Sequence, residues 1–170
     1  KWPDIMQGYV RILLEARRYV YIETPYFLPT ETVMSAMRIA ALAGVDVRIM
    51  IPRHGDAKFV EWASRSYVFE TIQAGVKVYL YRPGFLHSKL LVCDDIVCTC
   101  GSTNVDFRSF ENNFEANAFI YDRETTLRFK QIFMDDIKEC NFVTERMISR
   151  KRPFAQRLWE SVVRLLSPLL

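Results

Sequence analysis

The sequence lacks a long apolar run, a paired cysteine motif and a strong excess of charge. No stretch approaches the ~20 consecutive apolar residues that an α-helix needs to cross a membrane. The formal net charge is only +3, which suits an anionic ligand or surface without requiring a nucleic acid. Half of the 170 residues are hydrophobic, which excludes a disordered chain and is sufficient for one domain with a buried core.

The four cysteines do not have the spacing of a redox or zinc motif. None of Cys93, Cys98, Cys100 and Cys140 forms a C-x-x-C pair, and no histidine lies at zinc-finger spacing. The sequence also has no acidic cluster typical of a metal site. We therefore predict free thiols that pack as small apolar groups, with a disulfide or a metal site as the alternative. No metal or other cofactor is expected.

The first residues of the chain resemble neither a translation start nor a leader. The sequence opens on Lys1-Trp2 and has no secretory signal. We interpret it as a domain excised from a longer protein. The absence of a targeting segment then says little about the parent protein.

Helix and strand patterns alternate along the first half of the sequence. Apolar spacing and end signals predict helices over 4–18, 31–43 and 57–74, and strands over 19–23, 45–51 and 76–81. A hairpin, a strand over 116–121, a helix over 122–138 and a short helical segment over 144–150 follow. This order predicts an α/β fold, with a mixed β-sheet layered between helices on both faces. We expect residues 1–149 to form this domain.

Residues 150–170 differ from the rest of the chain. Basic residues there accompany apolar residues at helical spacing, which is typical of an amphipathic helix in a membrane interface. A helix docked on the domain, or on a missing partner, is an equal alternative. In neither case is this tail a transmembrane span.

Residues 87–104 carry the most chemical information and read H-S-K-L-L-V-C-D-D-I-V-C-T-C-G-S-T-N. His87 and Lys89 are two apart in a strand-forming run, so we expect them on one face. The Asp94-Asp95 pair predicts a hairpin turn. The second strand of that hairpin returns residues 101–104 to the neighbourhood of His87 and Lys89.

These residue types fit phosphoryl transfer. A neutral imidazole attacks phosphorus or protonates a leaving oxygen. A lysine ammonium and an asparagine amide bind phosphate oxygens, and glycine lets the backbone approach them closely. Our central hypothesis is that His87, Lys89 and Asn104 converge on one phosphorus. A lone histidine on a strand is usually structural. The prediction of a phosphoryl-transfer site therefore rests on the combination of these residues and not on His87 alone.

The pattern H-x-K-x4-D-x6-G-S-x-N resembles the signature motif of the phospholipase D superfamily at every defined position. Further segments are similar to the C-terminal half of bacterial cardiolipin synthases. They are T-P-Y-F-L-P (24–29), A-G-V-D-V-R-I (43–49), A-S-R-S-Y (63–67), P-G-F-L-H-S-K (83–89) and N-V-D-F-R-S-F-E-N-N-F-E (104–115). The resemblance implies catalytic roles for His87, Lys89, Asp94 and Glu115. It implies phosphate contacts from Lys89, Gly101, Ser102 and Asn104.

The resemblance also implies an activity. Two phosphatidylglycerol molecules would give cardiolipin and glycerol through a phosphohistidine, at a bacterial cell membrane. This chain would supply one of two half-sites, completed by a missing N-terminal half or by a second copy. The fragment itself would be soluble or peripheral, contact a membrane surface and be inactive alone. The alternatives are a homodimeric phosphodiesterase or nuclease, although nucleic acid is not favoured, and an inactive membrane-docking fragment.

Several roles stay open at this point. His87 is either the nucleophile or the acid/base. The resemblance implies that Glu115 orients an imidazole, and a solvent-exposed glutamate at a strand edge is the alternative. Asp94 lies an odd number of residues from His87, at the far end of the strand, so we interpret it as a turn or scaffold residue although the motif includes it. The loop over 24–29 either plugs the core or forms a rim of the site.

Overall fold

The computed structural model describes residues 3–56 and 58–149. Its first half consists of α1 (Asp4–Glu15), β1 (Tyr19–Glu23), β2 (Phe27–Leu28), α2 (Glu31–Leu42), β3 (Asp46–Pro52), α3 (Lys58–Gln73) and β4 (Lys77–Tyr81). Its second half begins with β5 (Leu90–Cys93), β6 (Val97–Gly101), β7 (Val105–Asp106) and a π-helical turn (Arg108–Asn112). It ends with β8 (Asn117–Ile120), α4 (Arg123–Asp136), a 3-10 turn (Ile137–Glu139), β9 (Cys140–Val143) and α5 (Glu145–Ser149).

Seven strands form one mixed sheet in the order β8-β6-β5-β1-β3-β4-β9. Strands β1, β3 and β4 are parallel, and the remaining neighbours pair antiparallel. The carboxyl ends of β1, β3, β4 and β6 therefore share one edge with the first residues of β5, β8 and β9. We call this the carboxyl edge. Strands β2 and β7 form a separate parallel pair.

Helices cover both faces of the large sheet. The larger apolar cluster packs α1, α2 and α3 on one face, with Leu13, Ile22 and Met37 among its most buried members. The smaller cluster lies under α4, where the Tyr21 and Phe133 rings stack with centroids 4.8 Å apart. Because both faces are covered, every residue of β1 is buried.

The predicted fold class and the order of the main helices and strands are confirmed. Most boundaries differ by one or two residues, and two differences affect the interpretation of the site. Helix α1 ends at Glu15 rather than at residue 18, because the N–H groups of Arg17 and Arg18 bind the Asp94 carboxylate instead of continuing the helix. Strand β5 begins at Leu90, so His87 and Lys89 precede the strand rather than lie in it.

Other expectations have mixed outcomes. All four cysteines are free thiols, with Cys93 and Cys98 buried. The short helix expected over 144–150 is present as α5. The tail predicted over 150–170 lies outside the described residues. In the part of the chain that the structure describes, no helix has both the length and the apolar character needed to cross a membrane.

Candidate active site

The topology brings the predicted site residues to the carboxyl edge, with Asp94 as the exception. The segment before β5 carries His87 and Lys89, and the end of β6 carries Gly101. The first residues after β6 and those just before β8 supply the remainder, which are Ser102, Asn104 and Glu115. The hairpin of β5 and β6 and its pairing with β8 are the reason why residues distant in the sequence share one edge.

The His87 side chain is exposed at this edge and packs against aromatic rings. Its ring centroid lies 5.9 Å from that of Phe85, which in turn lies 6.1 Å from the ring of Tyr26. The Tyr26 hydroxyl donates a 2.6 Å hydrogen bond to Asp56, and this bond raises the pKa of Tyr26 to about 12. The imidazole therefore has an apolar wall on one side and solvent on the other.

The loop over 24–29 fills the core and also borders the segment that carries His87. Phe27 and Leu28 are 1% and 2% exposed, so these two residues fill the core. Tyr26 alone turns outward, to the ring of Phe85 beside His87. Tyr26 is therefore the residue by which this loop borders the site.

The Lys89 ammonium is half-buried and folds back on its own segment. It donates a 2.9 Å hydrogen bond to the carbonyl oxygen of His87. Partial burial lowers the pKa of Lys89, while the carboxylates of Glu115 and Asp106 act in the opposite direction. Lys89 is thus within electrostatic range of Glu115.

Gly101 is required by a close approach of strands. A Cβ atom at this position would lie 2.6 Å from the Cα of Asn117, its partner on β8, and would also collide with the Ala116 carbonyl oxygen. Both obstacles are backbone atoms, which cannot move aside as a flexible side chain can. The structure thus gives this glycine a role in strand pairing, and its phosphate contact stays a prediction.

We expect Gly101→Ala to destabilise the protein by about 2–3 kcal/mol, because the added methyl group must push β6 and β8 apart. The measurement is the urea midpoint followed by circular dichroism. Gly84→Ala is the matched control, since a Cβ there would have no atom of residues 3–56 or 58–149 within 4 Å. Equal midpoints for the two variants would show that the strands separate at little cost.

Asn104 is held by a small network that leaves part of its amide unused. Its Nδ2 donates a 3.1 Å hydrogen bond to the Ser109 hydroxyl, and the Ser109 backbone N–H donates a 2.6 Å bond to Asp106. The amide nitrogen carries two hydrogens, so a second N–H remains for a ligand. The Oδ1 of Asn104 is buried and has no hydrogen-bond partner among the described residues.

The Glu115 carboxylate contacts Ser102 and Asn113. The Ser102 hydroxyl donates a short hydrogen bond to Oε2, and the Asn113 amide donates a 3.2 Å bond to Oε1. Among the described residues its oxygens have no hydrogen bond to His87. Glu115 also lines a pocket of about 230 Å³, whose other walls are the start of α1 and the π-helical turn.

Asp94 lies apart from these residues. It follows β5, and about seven extended residues, or roughly 23 Å, separate it from His87. The residue is buried, has a φ of 53° and accepts hydrogen bonds from three consecutive backbone N–H groups, those of Arg17, Arg18 and Tyr19. These contacts are those of a scaffold residue, which favours the structural interpretation of Asp94 over the catalytic one.

The residues that follow β3 are less informative. Arg53 and His54 are exposed at the carboxyl edge, and the backbone N–H of Arg53 donates to the Tyr81 carbonyl oxygen. Sequence reasoning missed Glu23, the last residue of β1, which is 1% exposed at the same edge. Its signal was a single glutamate that ends an otherwise apolar run, Y-V-Y-I-E.

Solved structures share this architecture. The phosphatidylserine synthase of Haemophilus influenzae Rd KW20 superposes with a TM-score of 0.77 over 98% of this chain and 45% of that one, at 18% identity. The phospholipase D family member Nuc of Salmonella typhimurium superposes with a TM-score of 0.70 over 81% of this chain and 90% of that one, also at 18% identity. At these identities the likeness defines the fold, which is that of phospholipase D-like proteins.

Sequence comparison is more specific. The family described as cardiolipin synthase, PLD-like domain, matches residues 9–137. Cardiolipin synthases of Clostridium perfringens (strain SM101 / Type A) and Geobacillus sp. (strain WCH70) are each 45% identical, over 98% and 100% of this chain. The chain belongs to this family, as its motifs predicted. It spans about a third of the length of these relatives, 35% and 34%.

Proposed function

We propose that this chain is one half of the active site of a cardiolipin synthase. The reaction transfers a phosphatidyl group from one phosphatidylglycerol to another and releases glycerol. The observation that carries the proposal is the meeting of His87, Lys89, Asn104 and Glu115 at one sheet edge, in a chain so similar to cardiolipin synthases. The whole protein acts at the bacterial cell membrane, where both lipids are found, and this chain contacts the membrane surface.

The first step forms a phosphohistidine. One imidazole attacks the phosphorus of the first phosphatidylglycerol, so a nitrogen–phosphorus bond forms as the bond to the glycerol headgroup oxygen breaks. A second imidazole gives its proton to that departing oxygen. Lys89 and the Asn104 amide neutralise and bind the phosphate oxygens as charge shifts onto them.

The second step regenerates the site. The second imidazole, now neutral, takes the proton of the terminal hydroxyl of another phosphatidylglycerol. That oxygen attacks the phosphorus, and the nitrogen–phosphorus bond breaks to give cardiolipin. Dividing one displacement into two avoids holding two lipids and a base together at once.

The second imidazole comes from outside this chain. His54 is exposed in a loop, and the sequence that follows it does not repeat the H-x-K-x4-D-x6-G-S-x-N pattern that begins at His87. The missing N-terminal half, or a second copy of the chain, supplies it. Glu115 accepts from Ser102 and Asn113, and its carboxylate is placed to orient an imidazole that arrives at this edge when the halves meet.

The test is a lipid assay with the complete protein. Phosphatidylglycerol vesicles are incubated with and without EDTA, and cardiolipin and glycerol are measured by mass spectrometry and a coupled enzyme assay. We expect equal amounts of the two products, unaffected by the chelator. Formation of phosphatidic acid and glycerol instead indicates a hydrolase, and the absence of any product contradicts the proposal.

The match to most of Nuc favours one second candidate. Two copies of this chain would complete the site about a two-fold axis and act as a phosphodiesterase. Sedimentation of the isolated 170-residue chain, followed by assays on phosphatidylglycerol vesicles and on DNA, separates the candidates. A dimer that cleaves DNA and leaves the lipid intact supports this second function.

A further inference from the structure

The pocket that Glu115 lines has no part in the two chemical steps proposed above. Its volume is about 230 Å³, and its walls are the first residues of α1, the π-helical turn and the segment that leads to Glu115. Pockets for drug-sized ligands measure about 300–1,000 Å³, so this one suits a small polar group better than an acyl chain. A pocket of this size beside a reaction centre is a place for a substrate headgroup.

Two contacts join the pocket to the residues proposed to bind phosphate. Glu115, at one wall, accepts a hydrogen bond from the Ser102 hydroxyl. Ser109, at another wall, is only 3% exposed, and its hydroxyl accepts a 3.1 Å hydrogen bond from Nδ2 of Asn104. The pocket therefore lies beside the position proposed for the phosphate, where the bond to the departing headgroup breaks.

The described walls of the pocket carry only negative charge. Asp4, Glu111 and Glu115 supply three carboxylates, and none of the described residues that line the pocket is a lysine, an arginine or a histidine. A phosphate or another anion is repelled from such walls. In residues 3–56 and 58–149, no cluster of three or more acids, histidines or cysteines could hold a metal ion. The ligand class that remains is a small neutral or cationic organic group.

Hydrogen-bond donors lie next to these acceptors. The Asn113 amide donates one hydrogen to Oε1 of Glu115 and keeps a second. No side chain caps the start of α1, whose first N–H groups have no acceptor within the helix. Ile5 and Phe110 add apolar surface. An ammonium group only donates and a phosphate only accepts, whereas a hydroxyl does both. Walls that combine donors, acceptors and apolar side chains therefore fit a polyol.

We propose that this pocket binds the glycerol headgroup of the donor phosphatidylglycerol and holds the glycerol as it departs. This rests on the phosphatidyl transfer proposed above. The carboxylates of Asp4 and Glu111 accept hydrogen bonds from the free hydroxyls of the headgroup, and the donors at the start of α1 and at Asn113 bind the hydroxyl oxygens. The hydroxyls of the headgroup, rather than its size, then decide which phospholipid reacts.

The first test measures binding without turnover, in the complete protein carrying His87→Ala. The dihexanoyl forms of phosphatidylglycerol, phosphatidylpropanol and phosphatidylethanolamine are compared by isothermal titration calorimetry. They share the phosphate and the acyl chains, so their affinities differ only through the headgroup. We expect the glycerol lipid to bind about tenfold more tightly than the propanol lipid, because propanol leaves polar walls unpaired. Equal affinities for these two lipids overturn the proposal, and tightest binding of the ethanolamine lipid overturns it in favour of a cation site.

Variants of the π-helical turn locate this preference in the pocket. Glu111→Trp adds a large side chain to the wall from an exposed position, and it should reduce the preference for glycerol to within about twofold. The matched control is Asn112→Trp, since Asn112 is exposed in the same turn and does not line the pocket. Glu111→Gln keeps the size and removes the charge, so it should weaken only the glycerol lipid, by about threefold. An unchanged preference in Glu111→Trp, or in Glu111→Gln if the tryptophan variant does not fold, overturns the proposal.

The second test is a competition during turnover. The complete protein acts on vesicles that contain equal amounts of phosphatidylglycerol and phosphatidylpropanol, and the ratio of released glycerol to released propanol is measured. We expect a ratio of about ten for the wild type and for Asn112→Trp, and a ratio near one for Glu111→Trp. A wild-type protein that makes no cardiolipin contradicts the proposed function, while the calorimetric comparison still decides the role of the pocket. An active Glu111→Trp protein with the wild-type ratio shows that the headgroup binds elsewhere.

Discussion

Replacing His87 with alanine is expected to lower cardiolipin formation at least about 1000-fold, because both steps of the proposed transfer need an imidazole at this position. The fold should survive. The His87 side chain is exposed, and its ring packs beside Phe85 at the edge of the sheet. We therefore expect a change of no more than about 0.5 kcal/mol in the free energy of unfolding. Initial rates on phosphatidylglycerol vesicles and a urea titration measure the two quantities.

The matched control is His54→Ala, which removes the other histidine of this chain from an exposed loop and should leave the rate within about twofold. Acid-labile 32P labelling then identifies the role of His87. If His87 is the nucleophile, the variant forms no adduct. If it is the acid/base, labelled lipid still accumulates on the other histidine. Turnover at the wild-type rate in a folded His87→Ala protein contradicts the assignment.

The sequence was sufficient to predict that the two strands of the hairpin pair with each other. Each strand of the β5–β6 hairpin is a β-prone run, and the Asp94-Asp95 pair between them adopts the left-handed conformation that such a turn needs. Once the hairpin forms, Gly101 must return to the edge that holds His87. A local hairpin therefore brings the residues of the motif together. This is why their position at one edge of the sheet could be predicted from the sequence.

The partners of individual side chains were not predictable in the same way. Ser102 binds Glu115 across two strand ends, and the carboxylate of Asp94 binds N–H groups 75 to 77 residues away. Such contacts depend on tertiary packing, which periodicity does not report. The burial of Glu23 has the same origin, because only the sheet order places β5 beside β1.

Replacing Asp94 should affect stability much more than chemistry. Its Oδ2 accepts from the N–H of Arg17 at 2.6 Å, and its Oδ1 accepts from those of Arg18 and Tyr19 at 2.9 and 2.8 Å. These bonds join the end of α1 and the start of β1 to the hairpin turn. Asp94→Ala leaves three N–H groups without their acceptor, and we expect a loss of about 3–5 kcal/mol in the free energy of unfolding.

Asp94→Asn removes the negative charge and replaces one carboxylate oxygen by an NH2 group. Asparagine also tolerates the positive φ and keeps one oxygen for Arg18 and Tyr19, but its NH2 faces the donor of Arg17, so we expect a loss of about 2 kcal/mol. Asp122→Ala is the reference variant. Asp122 accepts one backbone N–H at the exposed start of α4, so its replacement should lower the free energy of unfolding by about 1 kcal/mol.

The decisive comparison is activity measured where each variant is still folded. At a temperature well below its unfolding transition, Asp94→Asn should turn over phosphatidylglycerol within about threefold of the wild-type rate. A variant of normal stability that no longer turns over phosphatidylglycerol would show that Asp94 takes part in the reaction. Since roughly seven residues of extended strand separate it from His87, such a result would require a second Asp94 environment, created when the other half of the site binds.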